Sequence, residues 1–409
     1  MCNDKRIPDI NHQSERISLG CAVVCIVFFV VLSQIVLQII PDGMSQLFRP
    51  IIIFLLFIQM VKYGAGSYCA RTLSLFLAIY YMAVVAMTSW QRENLMFGSA
   101  NALYALMFFT VAGTKWNCRE IRCILMACFF AAVICATVLL FSNPFMDFSQ
   151  AVDGHVKLFY QEYNRNLNAY CYAIGAVLGL TYLVHGKNVP RFVVFICFSV
   201  VIYALLYSQC RGAFLCANVG MVISLYGKYV EIRKVDRLRY IVLVISTILG
   251  MIVLWYLIKN SSLSRLIDGE STSGRDEGIR RALHMYSEMD SFEKIFGAGF
   301  TYEASQLKAG QLGAHFVYAT YLIATGAVGL VILILFYLSC LKTIRGYVPY
   351  AFAILALLRT CFEGMDYYIY IPLLLAFVIS QCAQKNEMTP SDLFSFERKA
   401  RQFALFWEA

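Results

Sequence analysis

The residues best suited to chemistry are arginines and one histidine that stand where apolar stretches meet polar ones. Arg211 lies in Ser208-Gln209-Cys210-Arg211-Gly212 and is the only charged residue between Arg191 and Lys228. A charge in so short a turn between apolar runs is costly and by default indicates a function. The alternative is an arginine that snorkels to lipid headgroups.

Arg165 belongs to a second polar cluster at the mouth of an apolar run. The stretch Tyr163-Asn164-Arg165-Asn166-Leu167-Asn168 combines three amides with one arginine. Amides and a guanidinium suit sugar hydroxyls and phosphate. Ordinary capping at a membrane interface is the alternative.

The longest polar segment, Lys259 to His315, carries two further candidate arginines. Ser273-Gly274-Arg275-Asp276 is typical of a helix start, which would put Arg275 in the first turn and Arg281 further along. The apolar residues that follow at helical spacing are Ile279, Ala282, Leu283, Tyr286 and Met289. Seven basic and eight acidic residues give the segment a net charge of −1. Anion binding here therefore requires local clustering, and scattered surface charge is the alternative.

His315 opens the next apolar run, immediately after this polar segment. A titratable imidazole at such a boundary can act as a general base, whereas a lone histidine at a helix start can equally be structural. The same run contains Gly326 and Gly329, small residues that allow close helix packing. Just upstream, Gly297-Ala298-Gly299 lacks the third glycine of a dinucleotide fingerprint, and we expect it to turn the loop back towards the membrane.

The elements that must position these residues are membrane helices. Mean hydropathy is +0.66 and 14% of residues are charged, against about 25% in soluble domains. The fold class predicted is an all-α polytopic membrane protein. Its twelve predicted helices cover 17–40, 47–62, 71–90, 95–114, 121–141, 166–185, 190–208, 212–227, 239–258, 314–341, 346–361 and 365–383.

The distribution of basic residues orients these helices. One set of alternating connections carries 21 lysines and arginines, while the other, without the long polar segment, carries six. The positive-inside rule therefore predicts that both termini are cytoplasmic and that the polar segment is outside. The predicted organisation is membrane helices 1–9 over residues 1–258, an outer loop over 259–314, helices 10–12 over 314–383, and a cytoplasmic tail over 384–409.

Several other functions are disfavoured. The net charge of +9 is spread over short loops as topology requires, so it does not indicate nucleic-acid binding. Asp268-x-Glu270 and Glu288-x-Asp290 have metal-like spacing but are interpreted as solvated charges, and no metal or other cofactor is expected. A lipid transporter or flippase would show repeated halves with broken helices, and no such repeat is visible.

Taken together, the order of these motifs resembles the superfamily of bacterial O-antigen polymerases (Wzy type) and O-antigen ligases. The similarity runs over roughly Tyr163 to Leu330. It comprises an S-x-x-R-G turn, a large outer loop with S-G-R at a helix start and G-x-G near its end, and a histidine opening a helix that reads H-x(10)-G-x-x-G. Phe316 stands where asparagine is common, and Gly313 stands where ligases often carry a second histidine, which favours a polymerase.

The resemblance implies a metal-independent inverting glycosyltransferase of the membrane-embedded GT-C class, located in the bacterial inner membrane. Its donor would be a glycan on undecaprenyl diphosphate. Arg211 and Arg275 would bind the diphosphate, with Arg281 and Arg165 as further members of that site, and His315 would be the catalytic base. Besides the lipid-linked substrate and the bilayer, a chain-length regulator and a flippase are expected partners. A ligase that transfers glycan to lipid A-core is the alternative function.

Overall fold

The computed structural model describes residues 21–22, 24–25, 42–62, 64, 69–88, 92–142, 155–158, 161–208, 210–231, 275–300, 317–361, 370–384 and 393–394. Its helices are α1 (Asp42–Lys62), α2 (Cys69–Thr88), α3 (Arg92–Ala112), α4 (Cys118–Ser142), α5 (Arg165–His185), α6 (Arg191–Tyr207), α7 (Arg211–Glu231), α8 (Arg275–Glu288), α9 (Ser291–Phe296), α10 (Val317–Thr343), α11 (Tyr347–Thr360) and α12 (Tyr370–Gln384). Strands β1 (His155–Leu158) and β2 (Gln161–Asn164) form an antiparallel hairpin ahead of α5.

The expectation of an all-α membrane protein is confirmed, with the β1–β2 hairpin as a small exception. Ten of the helices coincide with ten of the predicted apolar runs. Five of them, α2, α3, α4, α7 and α10, are long and apolar enough to cross a membrane. The predicted helices 17–40 and 239–258 lie almost wholly outside the described residues.

The outer surface of the bundle is apolar, as a lipid-facing surface must be. Large hydrophobic side chains such as Phe54, Ile79, Phe192 and Val331 are exposed. Inside the bundle, hydroxyls and amides join neighbouring helices. The Tyr321 hydroxyl of α10 donates to Asn101 Oδ1 of α3 over 2.6 Å. Such polar pairs stabilise helix association where water is absent.

Helix α10 is broken at Gly326, which has φ +65° and ψ −174°. The break leaves carbonyls of the preceding turn without their helical partners. Two backbone N–H groups of the predicted Gly-Ala-Gly turn fill these places, because Ala298 donates to Ile323 O over 2.9 Å and Gly299 to Ala324 O over 3.0 Å. The turn therefore does return the chain to the membrane helices, by pairing with a break in one of them.

Helices α8 and α9 lie beside the first turns of α10. Ala282 and Met289 form a small buried cluster with Ala319 and Ile323 of α10. This bears out the helix predicted after Ser273 and most of its apolar face, although Ser273 itself lies outside the described residues. Leu283 was expected on that face and is exposed, because the contact with α10 is made along one narrow line of the helix.

Candidate functional site

Helices α5 and α7 run parallel and side by side. Gly220 of α7 lies against Val177 of α5, and the hydroxyls of Ser224 and Thr181 are 3.1 Å apart. Both pairs are 43 positions apart in the sequence, so the two helices keep one register. Their N-terminal ends therefore lie at the same end of the bundle.

This register sets the relative heights of two predicted site residues. Extended back along both helices, it brings Arg211, the first residue of α7, level with Asn168 of α5. Arg165, the first residue of α5, then lies one turn beyond, about 4.5 Å further along the axis. The two arginine-bearing helix starts that the sequence analysis singled out are thus neighbours.

Helix α11 packs on α7 in the opposite direction. Gly220 lies against Ala351, while Gly227 lies against the first residue of α11. Arg211 is nine residues before Gly220, and Thr360 is nine residues after Ala351. The antiparallel register therefore brings the C-terminal end of α11 level with Arg211, and we call this the arginine end of the bundle.

A further arginine, Arg359, lies in the last turn of α11 at the arginine end. It is only 1% exposed, and its guanidinium carbon lies 4.2 Å from the centroid of the Tyr170 ring on α5. A desolvated cation over an aromatic face gains about 2 kcal/mol or more. Arg359 is thus a buried cation at the depth of Arg211. It extends from α11 to α5, and both of these helices pack on α7.

The beginning of α10 reaches the same place. Thr360 donates a hydrogen bond of 3.0 Å to the hydroxyl of Tyr318, the second residue of α10. His315 lies outside the described residues, and the described chain resumes at Val317, two positions later. The described part of α10 therefore begins beside the end of α11 that carries Arg359.

Of the long-loop arginines, Arg275 is the first residue of α8, as its motif predicted. Arg281 is half-buried and adjoins Ala282, which packs against the second turn of α10. Arg281 is therefore carried on the element next to the α10 start. The side chain of Arg275 lies outside the described part of the chain, so its convergence with Arg211 stays a prediction.

Arg359 is the site residue that the sequence analysis missed. In the sequence analysis it was counted only among the six basic residues in the set of connections that carries few lysines and arginines. Its signal is similar to that of Arg211, because it is the only basic residue between Arg345 and Lys385, where the only acidic residues are Glu363 and Asp366. A lone cation inside an apolar stretch is a functional candidate by default.

Two features of the arginine end suit an anionic ligand. Helices α5, α7 and α10 all begin there, and each helix N-terminus carries a partial positive charge. Arg211 and buried Arg359 place two guanidinium groups at the same depth. Such an arrangement suits an anionic group with several oxygens, such as a phosphate or diphosphate.

No family model matches the chain, and no curated protein matches it. The O-antigen polymerase and ligase resemblance drawn from the order of the motifs therefore stays a prediction.

Proposed function

We propose that this protein polymerises lipid-linked oligosaccharide repeat units for an O-antigen, capsule or exopolysaccharide, on the outer face of a bacterial inner membrane. The growing glycan would pass from undecaprenyl diphosphate to a sugar hydroxyl of a new repeat unit. The observation that carries this proposal is the convergence of Arg211, Arg359 and the α10 start at one end of the bundle. A lipid diphosphate at a membrane surface is the kind of anion that such a site suits.

The chemistry assigns a role to each group. The bond from the anomeric carbon to the diphosphate oxygen breaks, and the diphosphate leaves with the bonding electrons. Arginines stabilise the charge that grows on that leaving group, because they stay ionised and can donate two parallel hydrogen bonds. The acceptor hydroxyl attacks the anomeric carbon, and His315 accepts its proton.

The buried position of Arg359 suggests how it contributes. A side chain that is 1% exposed acts on a ligand mainly through its field and by fixing its neighbours. It lies against Tyr170, and its helix ends in the hydrogen bond from Thr360 to Tyr318. In this proposal Arg359 is a positioning residue behind the anion site, while Arg211 is the group that reaches the diphosphate.

Deleting the gene separates the candidate functions. Loss of long glycan chains, with one repeat unit still attached to the lipid core, would indicate a polymerase. Complete loss of glycan from the core would indicate a ligase. Retention of normal surface glycan would refute both assignments.

Arginine-to-lysine variants then test the site in the deletion strain. Arg211→Lys keeps the charge but removes the bidentate donor. Losing one hydrogen bond to a charged group costs about 1.5–3 kcal/mol, or about 10- to 150-fold in turnover. Arg359→Lys should also reduce chain length, because lysine lacks the planar group that stacks on Tyr170.

Arg191→Lys is the matched control, because Arg191 also starts a helix but is exposed at the opposite end of the bundle. It should leave the glycan unchanged. Wild-type chain lengths from both Arg211→Lys and Arg359→Lys at normal protein levels would contradict the proposed anion site.

A further inference from the structure

Helix α9 carries exposed apolar side chains although it belongs to the long polar segment. Phe292 is 50% exposed and Ile295 is 47% exposed. They stand three positions apart and so share one face of the helix. The Phe292 and Phe296 rings lie 4.9 Å apart, centroid to centroid. In a loop surrounded by water, such a patch would have no favourable contact on its open side.

The depth of α9 can be measured against two membrane helices. The Tyr80 hydroxyl of α2 lies 3.2 Å from Phe296 O, at the end of α9, and 2.8 Å from Thr325 O of α10. Thr325 stands eight residues after the start of α10. At about 1.5 Å per residue, it places the end of α9 about 12 Å below the start of α10. On α2, Gly299 lies against Thr88, the last residue of that helix.

The thickness of a bilayer shows where this depth lies relative to the hydrocarbon region of the membrane. A helix of the length of α10 spans about 40 Å, so it overhangs a hydrocarbon region about 30 Å thick by about 5 Å at each side. The end of α9 therefore lies about 7 Å inside the hydrocarbon region. Along α9, Asp290, Ser291, Phe292 and Ile295 are exposed, whereas Glu293 and Lys294 are half-buried.

The chain after α9 returns to the same end of the bundle. Phe300 N–H donates to Asn94 Oδ1 over 2.6 Å, and the Asn94 amide donates to Thr88 Oγ1, at the end of α2, over 3.0 Å. The ring of Phe300 packs edge-on against Tyr81, 5.6 Å away. After α9 the segment thus returns towards the end of α2 and the start of α3.

The backbone of this segment meets the requirement that hydrocarbon imposes. Non-helical backbone at membrane depth is tolerated only where protein groups satisfy its N–H and C=O groups. Gly297 N–H donates to Glu293 O, and the N–H groups of Ala298 and Gly299 donate to α10 carbonyls beside the break at Gly326. The turn at 297–299 therefore satisfies backbone groups that the break in α10 leaves open. We call this pairing of the turn and the break the sealed junction.

We propose that residues 290–300 form a re-entrant segment, and that Phe292 and Ile295 contact the acyl chains of membrane lipid. The segment would fasten the end of the polar loop into the bilayer beside α10, whose first turn lies at the arginine end. The partner is the hydrocarbon of the membrane itself. This inference depends on α2 and α10 crossing the membrane and is independent of the glycan that the protein handles.

The test is photo-cross-linking in proteoliposomes that contain radiolabelled phospholipid. The photoreactive residue p-benzoyl-L-phenylalanine is placed singly at 292 or 295, where both side chains are exposed and a bulky ring fits. Val331, exposed on α10, serves as the lipid-facing positive control, and Ser287, exposed on α8, serves as the negative control. We expect lipid adducts at 292 and 295 in yields like those at 331, and only background at 287.

Each site is scored separately, so that a variant that fails to insert does not decide the result. Background yields at both 292 and 295, together with a strong adduct at 331, would overturn the proposal. Equal yields at 292 and 287 would also overturn it, because they would show lipid contact without a defined depth. Neither outcome bears on whether the protein makes glycan.

Discussion

Replacing Gly326 by alanine tests whether the break in α10 is required by the sealed junction. At φ +65° and ψ −174°, Gly326 has a conformation that residues with a side chain rarely adopt. An added Cβ would meet the carbonyl of Ile295 and the amide nitrogen of Gly297. Both are backbone atoms, so no side-chain rotation can make room.

The expected loss of stability has two parts. Holding a non-glycine residue in this region of φ and ψ costs about 1–3 kcal/mol. If the 297–299 turn moves away instead, its two hydrogen bonds to α10 are lost, at about 0.5–1.5 kcal/mol each. Alanine's better helix propensity would return about 1 kcal/mol if α10 straightened. While the 297–299 turn holds the break open, the loss expected from Gly326→Ala is therefore about 1–3 kcal/mol, and if α10 straightens the net loss falls to about 0–2 kcal/mol.

The free energy of unfolding can be measured by titrating SDS into detergent micelles and following tryptophan fluorescence. Val331→Ala on the same helix is the control. Its side chain is exposed on the lipid-facing side, and surface substitutions usually stay within about 0.5 kcal/mol. Unchanged or increased stability for Gly326→Ala would show that the 297–299 turn does not hold the break open.

Two predictions concern topology and chemistry. A periplasmic reporter fused after Glu288 should be active, because the 21-to-six bias of basic residues puts that loop outside; activity from a cytoplasmic reporter alone would refute the orientation. His315→Ala should cut turnover by about 10² to 10⁴-fold without loss of donor binding, and His315→Gln should not rescue it. If His315→Gln polymerises normally in a purified assay, the base must be sought among carboxylates such as Glu363 or Asp366.

The helix positions could be predicted because hydropathy and helix length are local properties. The predicted run 71–90 became α2 over Cys69–Thr88, and 212–227 became α7 over Arg211–Glu231. The start of α8 at Arg275 also followed from its own motif. In each case the residues that decide the boundary lie inside or next to the element.

The break in α10 could not be predicted in this way. Gly326 was interpreted as a small residue for close packing, and it does approach another backbone closely. What the sequence could not indicate was the partner, because the carbonyls of Ile323 and Ala324 are satisfied by N–H groups some 25 positions upstream. A break in a membrane helix is stable only when such a partner is present, and that pairing is a property of the tertiary fold.

Arg211 and Arg359 show why a single cation in an apolar run is informative only once its depth is known. Arg211 is an isolated charge in the sequence, whereas Glu363 and Asp366 follow Arg359 closely, and only Arg211 was chosen, because it stood in a recognisable turn. The packing of α5, α7 and α11 brings both residues to one depth, with Arg359 buried against Tyr170. Two guanidinium groups at one depth, beside the starts of α7 and α10, are therefore the physical reason to seek the anion there.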